Sequence, residues 1–151
     1  GCRRRRGRAA LMRAHLQAMA DSLAPLGYPV FKVWADDEAL GDLPYLVLEV
    51  ASAGGPAEDA LDDVSVSLHT AVRVKGVAGT PDGVLAVLSR VRGSWSPAGA
   101  WSSLTVPGRI ARVHYERSEF VGVDRDFKIP GSDSRHPAYG VDTYTLSSEP
   151  A

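Results

Sequence analysis

One stretch constrains the fold more than any other. Across residues 64–75, Val64, Val66, Leu68, Thr70, Val72 and Val74 alternate with Ser65, Ser67, His69, Ala71, Arg73 and Lys75. A period of two places the first set on one side of an extended strand and the second on the other. This is one long strand, apolar toward a core and polar on its opposite face.

Two helical patterns offer cover for the apolar face. Leu11, His15, Leu16, Met19, Leu23 and Leu26 recur at three- and four-residue steps, and Gly27 is a natural stop. Pro25 falls in the last turn, so the regular helix is expected to end a residue or two early. The Leu/Met stripe reads as core. Beyond the long strand, Thr80, Pro81 and Asp82 supply an N-cap, a proline at the first helical position and an acid in the first turn. Val84, Leu85, Leu88 and Val91, with Val87 less ideally placed, form the apolar stripe of this second helix, and Gly93 can end it.

Four further segments read as strands: 30–34, 43–50 with Pro44 at its start, 110–116 and 141–147. The segments 52–56 and 93–108 are loop-forming, and 123–140 has no period. A loop as long as the last is usually functional or an interface arm. The order α-β-β-β-α-β-β shows neither an internal repeat nor an interdomain linker. The expected fold class is α+β: an N-terminal helix and a mostly antiparallel sheet of about four to five strands, with a second helix packed on one face. A length of 151 residues suits one such domain over 12–151.

Charge is strongly segregated behind a net value of −1. Residues 1–11 carry Arg3, Arg4, Arg5, Arg6 and Arg8 and no acid. Residues 33–72 carry Asp36, Asp37, Glu38, Asp42, Glu49, Glu58, Asp59, Asp62 and Asp63 and no Lys or Arg. A basic zone follows, with Arg73, Lys75, Arg90, Arg92, Arg109, Arg112 and Arg117 as a candidate basic face. Blocks of one sign usually mark a solvated face, but opposite-signed zones also suit docking between copies or partners. The leader 1–11 has no apolar core and is not a secretory signal. Met12 is the expected natural start, with 1–11 an upstream extension; a leader of this composition also suits contact with phosphates.

Motifs for chemistry are absent. The stretch from Gly93 to Gly99 has the wrong spacing for a nucleophile elbow. Gly76, Gly79 and Gly83 lack the following Lys of a phosphate loop and read as turns. His15, His69, His114 and His136 are scattered; His69 and His114 are candidates for strand neighbours. Asp59, Asp62 and Asp63 lack the glycine and spacing of a calcium loop. A single cysteine, Cys2, supports neither a disulfide framework nor a Cys-rich zinc site. No apolar run approaches the ~18 residues of a membrane span. No enzyme, cofactor or metal is expected.

The assembled pattern resembles the tail terminator (tail completion) proteins of long, non-contractile-tailed bacteriophages, especially those of actinobacterial hosts. One anchor is the opening helix running into Leu23, Ala24, Pro25, Leu26, Gly27, Tyr28, Pro29 and Val30, then Leu43, Pro44, Tyr45, Leu46, Val47 and Leu48. The other is the ending His136, Pro137, Ala138, Tyr139, Gly140, Val141, Asp142, Thr143, Tyr144, Thr145 and Leu146. Segments 63–75 and 80–92 look like the family's long strand and second helix. The Arg leader and the Trp95–Trp101 loop lie outside the resemblance.

The resemblance implies a structural virion protein of the neck, assembled in the host cytoplasm. It would form a homo-oligomeric ring, as a rule a hexamer, that ends tube polymerisation and joins the tail to the head. Its partners would be copies of itself, the tail tube protein and a head-side connector or stopper, with DNA passing through unbound and no membrane involved. Candidate interface residues are Arg125, Arg135, His136, Tyr139, Trp95, Trp101, Arg73 and Arg112. Candidate channel-facing acids are Asp36, Asp37, Glu38, Asp42, Glu58 and Asp59. The alternatives are another neck component (a head–tail stopper or minor tail protein) and, from a different class, a small nucleic-acid-binding accessory protein acting through the Arg leader.

Overall fold

The computed structural model describes residues 2–32, 43–50, 67–123, 125 and 136–151, with side chains from residue 11 onward. Helix α1 (Cys2–Leu23) is followed by a 3-10 turn at Ala24–Leu26, where Pro25 ends the α pattern as expected. Gly27 closes it in the left-handed region, φ +84°, where glycine carries no Cβ penalty. Strands β1 (Val30–Lys32), β2 (Tyr45–Val50) and β3 (Leu68–Ala78) come next. Helix α2 (Pro81–Trp95) leads to β4 (Ser102–Leu104), β5 (Arg109–Ser118), β6 (Gly122–Val123) and β7 (Ala138–Pro150).

The expected α+β class is observed, with a larger sheet. Among the described residues seven strands run in the order β1-β2-β3-β7-β5-β4, with β6 also on β7. Among these strands β1 and β2 pair in parallel and the other pairs are antiparallel. The extra strands are β4 and β6, too short for alternation to reveal. Strand β7 is the axis of the sheet. It pairs with β3 from Leu68↔Ser148 to Ala78↔Ala138 on one side, and with β5 and then β6 on the other. The periodless stretch therefore ends earlier than expected, because Ala138–Gly140 already belong to β7.

From Leu68 on the alternation is as read: Leu68, Thr70, Val72 and Val74 are buried and His69, Ala71 and Arg73 exposed, while Val64, Ser65 and Val66 lie outside the described residues. Both helices cover the same sheet face. Leu16, Met19 and Leu23 of α1 and Val84, Val87, Leu88, Val91 and Trp95 of α2 meet Leu46, Leu48, Val72, Val74, Val113, Tyr144 and Leu146. Two details differ from expectation. Leu85 is exposed and Val87 buried, because the buried arc of α2 continues to Trp95. Gly93 does not stop the helix, which ends at Ser96, whose N–H donates to Arg92 O at 2.8 Å.

The N-terminus of α2 forms as expected, with Thr80 Oγ1 accepting from Gly83 N at 3.1 Å. Gly76 and Gly83 are not turn residues: Gly76 lies within β3 and Gly83 within α2. Gly76 pairs with Gly140 directly beneath α2. A Cβ on Gly140 would stand 2.9 Å from Val84 Cγ1, and one on Gly76 would stand 3.0 Å from Leu88 Cδ2. These two glycines set how closely α2 approaches the sheet.

On the opposite, outer face, Tyr45, Val47 and Val77 form a second buried cluster with Phe31, Leu43 and Tyr139 packed against it. Elsewhere on that face polar side chains such as Arg73, Arg112 and Thr145 stand among Ala71, Val141 and Ile110.

Candidate interface surfaces

Two networks of polar groups lie on the helix-covered side. In the first, Arg92 Nη2 donates to Asp142 Oδ2 at 2.8 Å and to Ser118 Oγ at 3.0 Å. Ser118 Oγ donates to Asp142 Oδ1 at 2.6 Å, so the Tyr115 hydroxyl at 2.7 Å must be the donor to Ser118. The guanidinium lies 4.4 Å from the Tyr115 ring centroid. The hydrogen bond to Asp142 raises the Arg92 pKa above its ordinary value, against the cost of burial. Burial first, and the Asp142 charge next, push the Tyr144 phenol well above the usual tyrosine range, with Arg92 opposing.

The second network joins α1 to the sheet. His15 Nδ1 lies 2.8 Å from Leu11 O, a carbonyl that can only accept, so this nitrogen carries the proton. His15 Nε2 then accepts from Ser148 Oγ at 2.7 Å, and Ser148 Oγ in turn accepts from Arg109 Nε at 2.7 Å. Arg109 Nη2 also donates to Ser148 O at 3.0 Å. Desolvation lowers the His15 pKa, and the nearby Arg109 charge lowers it further, against the Leu11 hydrogen bond. Arg92 Nε and the Tyr144 hydroxyl are buried without a hydrogen-bond partner among the described residues, whereas the other groups of both networks are paired. The two networks hold the fold together.

The sequence-derived candidates separate sharply. Trp95 is a core residue, 1% exposed: its indole N–H donates to Ser22 Oγ at 2.8 Å and its ring meets Tyr144 edge-on at 5.1 Å. It cannot anchor a partner without unpacking α2, so it is withdrawn as an interface residue. Trp101, 44% exposed, stacks on His114 at 4.9 Å with Arg112 at 5.8 Å from its ring. Arg73 stands between Glu49 at 3.6 Å and Glu119 at 3.4 Å on the outer face. Tyr139 lies on the same face under Lys75, whose Nζ is 5.0 Å from the ring. Its ring also covers Gly122, where a Cβ would come within 3.1 Å.

His136 is half-buried just before β7, and Arg125 is exposed beyond β6. Arg135 and the acids Asp36, Asp37, Glu38, Asp42, Glu58 and Asp59 lie outside the described residues.

Two groupings expected from sequence do not form. The seven basic residues make no common face: Arg90 and Arg92 belong to α2, whereas Arg73 and Arg112 occupy the outer side of the sheet. His69 and His114 are not strand neighbours, because β7 runs between β3 and β5. Instead His114 Nε2 donates to Gly99 O at 2.9 Å and Nδ1 faces Glu116 at 3.3 Å. The Thr145 hydroxyl, donating at 2.8 Å, and then His114 hold the Glu116 carboxyl below its usual pKa.

Sequence reasoning missed Phe120 and Ile110, which are 100% and 58% exposed. Alternation alone would have put Ile110 opposite Ala111 and Val113, on the polar side. Phe120 follows the end of β5, and nothing among the described residues covers it. Among the described residues no cluster of His, Cys, Asp or Glu is arranged to hold a metal ion, and no helix is long and apolar enough to cross a membrane.

No protein-family model matches the chain, and no curated protein matches it. Among solved structures, one chain whose designation carries no functional meaning aligns over 91% of this chain and 94% of its own, with a TM-score of 0.51 and 18% identity. At that identity the likeness is one of fold alone.

Proposed function

We propose that the chain is a tail terminator of a long, non-contractile-tailed bacteriophage. In this reading it forms a ring, hexameric as a rule, at the head-proximal end of the tail tube. The ring ends tube polymerisation and presents a surface to the head-side connector. Its place is the neck of the virion, and DNA passes through it without specific binding.

The observation that carries the reading is the outer sheet face. Its exposed side chains fall into separate, unlike groups: Trp101 with Arg112 and His114 in one place, Arg73 between two carboxylates in another. A subunit that meets its neighbours through heterologous contacts needs unlike patches at different places on a stiff frame. The resemblance in sequence supports the same reading, since its anchors form the turn from α1 into β1 and the central strand β7.

The test is deletion of the gene in the parent phage. Heads without attached tails, together with tail tubes of abnormal length, are the expected products in electron micrographs. Filled heads joined to tails of normal length would overturn the proposal.

A further inference from the structure

Helix α1 runs without a break from Cys2 through Met12 to Leu23, and its upstream end carries Arg3, Arg4, Arg5, Arg6 and Arg8. His15 fixes where this helix crosses the sheet, since it is bonded to Ser148 of β7. Downstream, α1 heads for β1 at one edge, where Lys32 Nζ donates to Gln17 Oε1 at 2.7 Å. Its upstream end therefore leaves over the opposite corner. From Ser148 the sheet continues by two residues to the end of β7, about 7 Å, and by β5 and β4 to its edge, about 10 Å. Upstream of His15 the helix continues to Cys2, about 20 Å. The turn that carries Arg3 to Arg6 thus lies beyond the margin of the sheet.

The charge of this arm opposes its own helical form. The first turn of α1 holds no acid, and none precedes Asp21. The N-terminal end of a helix carries a partial positive charge that favours anions and disfavours arginine. Arg3 with Arg6 and Arg4 with Arg8 are three and four positions apart, spacings at which like charges repel. Anions along the arm would relieve both costs.

We propose that the arm of α1 binds duplex DNA by lying in the major groove, where its arginines meet phosphates on both walls without reading sequence. Successive helical positions step by about 100°, so Arg3, Arg4, Arg5 and Arg6 are spread round the whole circumference. A major groove is about 12 Å wide, admits an α-helix and flanks it with phosphates on two sides. An acidic protein surface or a membrane offers anions on one side alone. The arm also has no large apolar residue before Leu11, which a helix seated in a membrane surface requires. Phosphates at the helix start complement its dipole, and each arginine contact releases counterions from the duplex. The inference does not rest on the tail-terminator reading.

Fluorescence anisotropy of a labelled duplex of mixed sequence, titrated with the purified full chain, tests it. The wild-type chain should bind at about 50 mM salt and weaken on the order of a few hundredfold by about 200 mM, as counterion release requires. A variant combining Arg3→Gln, Arg4→Gln, Arg5→Gln, Arg6→Gln and Arg8→Gln should bind at least about a hundredfold more weakly at the lower salt. An unchanged urea midpoint checks that its body is intact. Helical ellipticity should rise when duplex is added to the wild-type chain and stay constant in the variant. Absence of binding at low salt, or a variant that binds like wild type, would overturn the inference. So would single-stranded DNA, polyglutamate or anionic phospholipid vesicles binding as tightly as the duplex at equal charge. A gene deletion that leaves normal tails would remove the tail-terminator reading and leave the measured DNA affinity untouched, so the two failures are distinguishable.

Discussion

At the scale of single residues, the two buried networks make opposite demands on charge. His15 is held neutral, since its Nδ1–H is committed to Leu11 O and Nε2 accepts from Ser148 next to Arg109. Burial first, and then the Arg109 charge, lower its folded pKa from 6.5 against the Leu11 hydrogen bond, so the unfolded chain binds the proton more readily. The stabilisation is present above about pH 6.5 and is lost as pH falls through the lowered folded value. Urea unfolding between pH 7.5 and 5 should show this slope in the wild-type chain. It should be shallower in His15→Gln, and equal slopes would contradict the assignment.

The Arg92–Asp142 pair responds differently to loss of either partner. Asp142 is fully buried, whereas the Arg92 side chain is 39% exposed. Removing the carboxylate leaves a cation that can turn to water; removing the cation strands a buried anion with only Ser118 as a side-chain partner. Arg92→Ala should cost about 1–3 kcal/mol, since Asp142 keeps Ser118 and the pair is partly open to water, and Asp142→Ala less, measured by chemical denaturation.

At the scale of elements, helix α2 shows what local pattern conveys and where it stops. Thr80, Pro81 and Asp82 announce its start, because capping depends on neighbours within one turn. Its end is hidden, since Gly93 is carried through by the burial of Val91 and Trp95 on the far side of the same turn. Gly93 has open space around its Cβ position, so Gly93→Ala should raise stability by about 0.5–1 kcal/mol.

Gly140 is the contrasting case. A methyl group there meets Val84 and Leu88 from α2 and Val121 from beside β6. Gly140→Ala should destabilise by about 1–3 kcal/mol, the usual range for overpacking, with thermal unfolding as the readout. The need for glycine comes from a helix more than fifty residues earlier in the chain, so no local reading of residues 136–146 reveals it. The resemblance anchor at this point carries the glycine without its reason.

At the scale of the whole molecule, the sheet is organised around its last strand. Strand β7 lies between β3 and the β5–β6 pair, so contacts far apart in sequence join the two halves of the chain. A chain truncated before Ala138 loses the partner of β3, β5 and β6 together. It should show no cooperative unfolding transition and little strand signal in circular dichroism.

The sequence by itself determined the two helices, the amphipathic long strand and the α+β class, because each depends on periodicities of two or 3.6 residues within one segment. It also named Trp101 and Arg112 as outward candidates, and it offered Trp95 on the same grounds. Only the tertiary structure separated them: Trp95 is covered by α1 and β7, while Trp101 lies on the uncovered side of β5. The order of the strands and the isolation of His69 from His114 were likewise decided by long-range pairing. Burial of a side chain depends on what the rest of the chain lays over it, and no window of neighbouring residues contains that information.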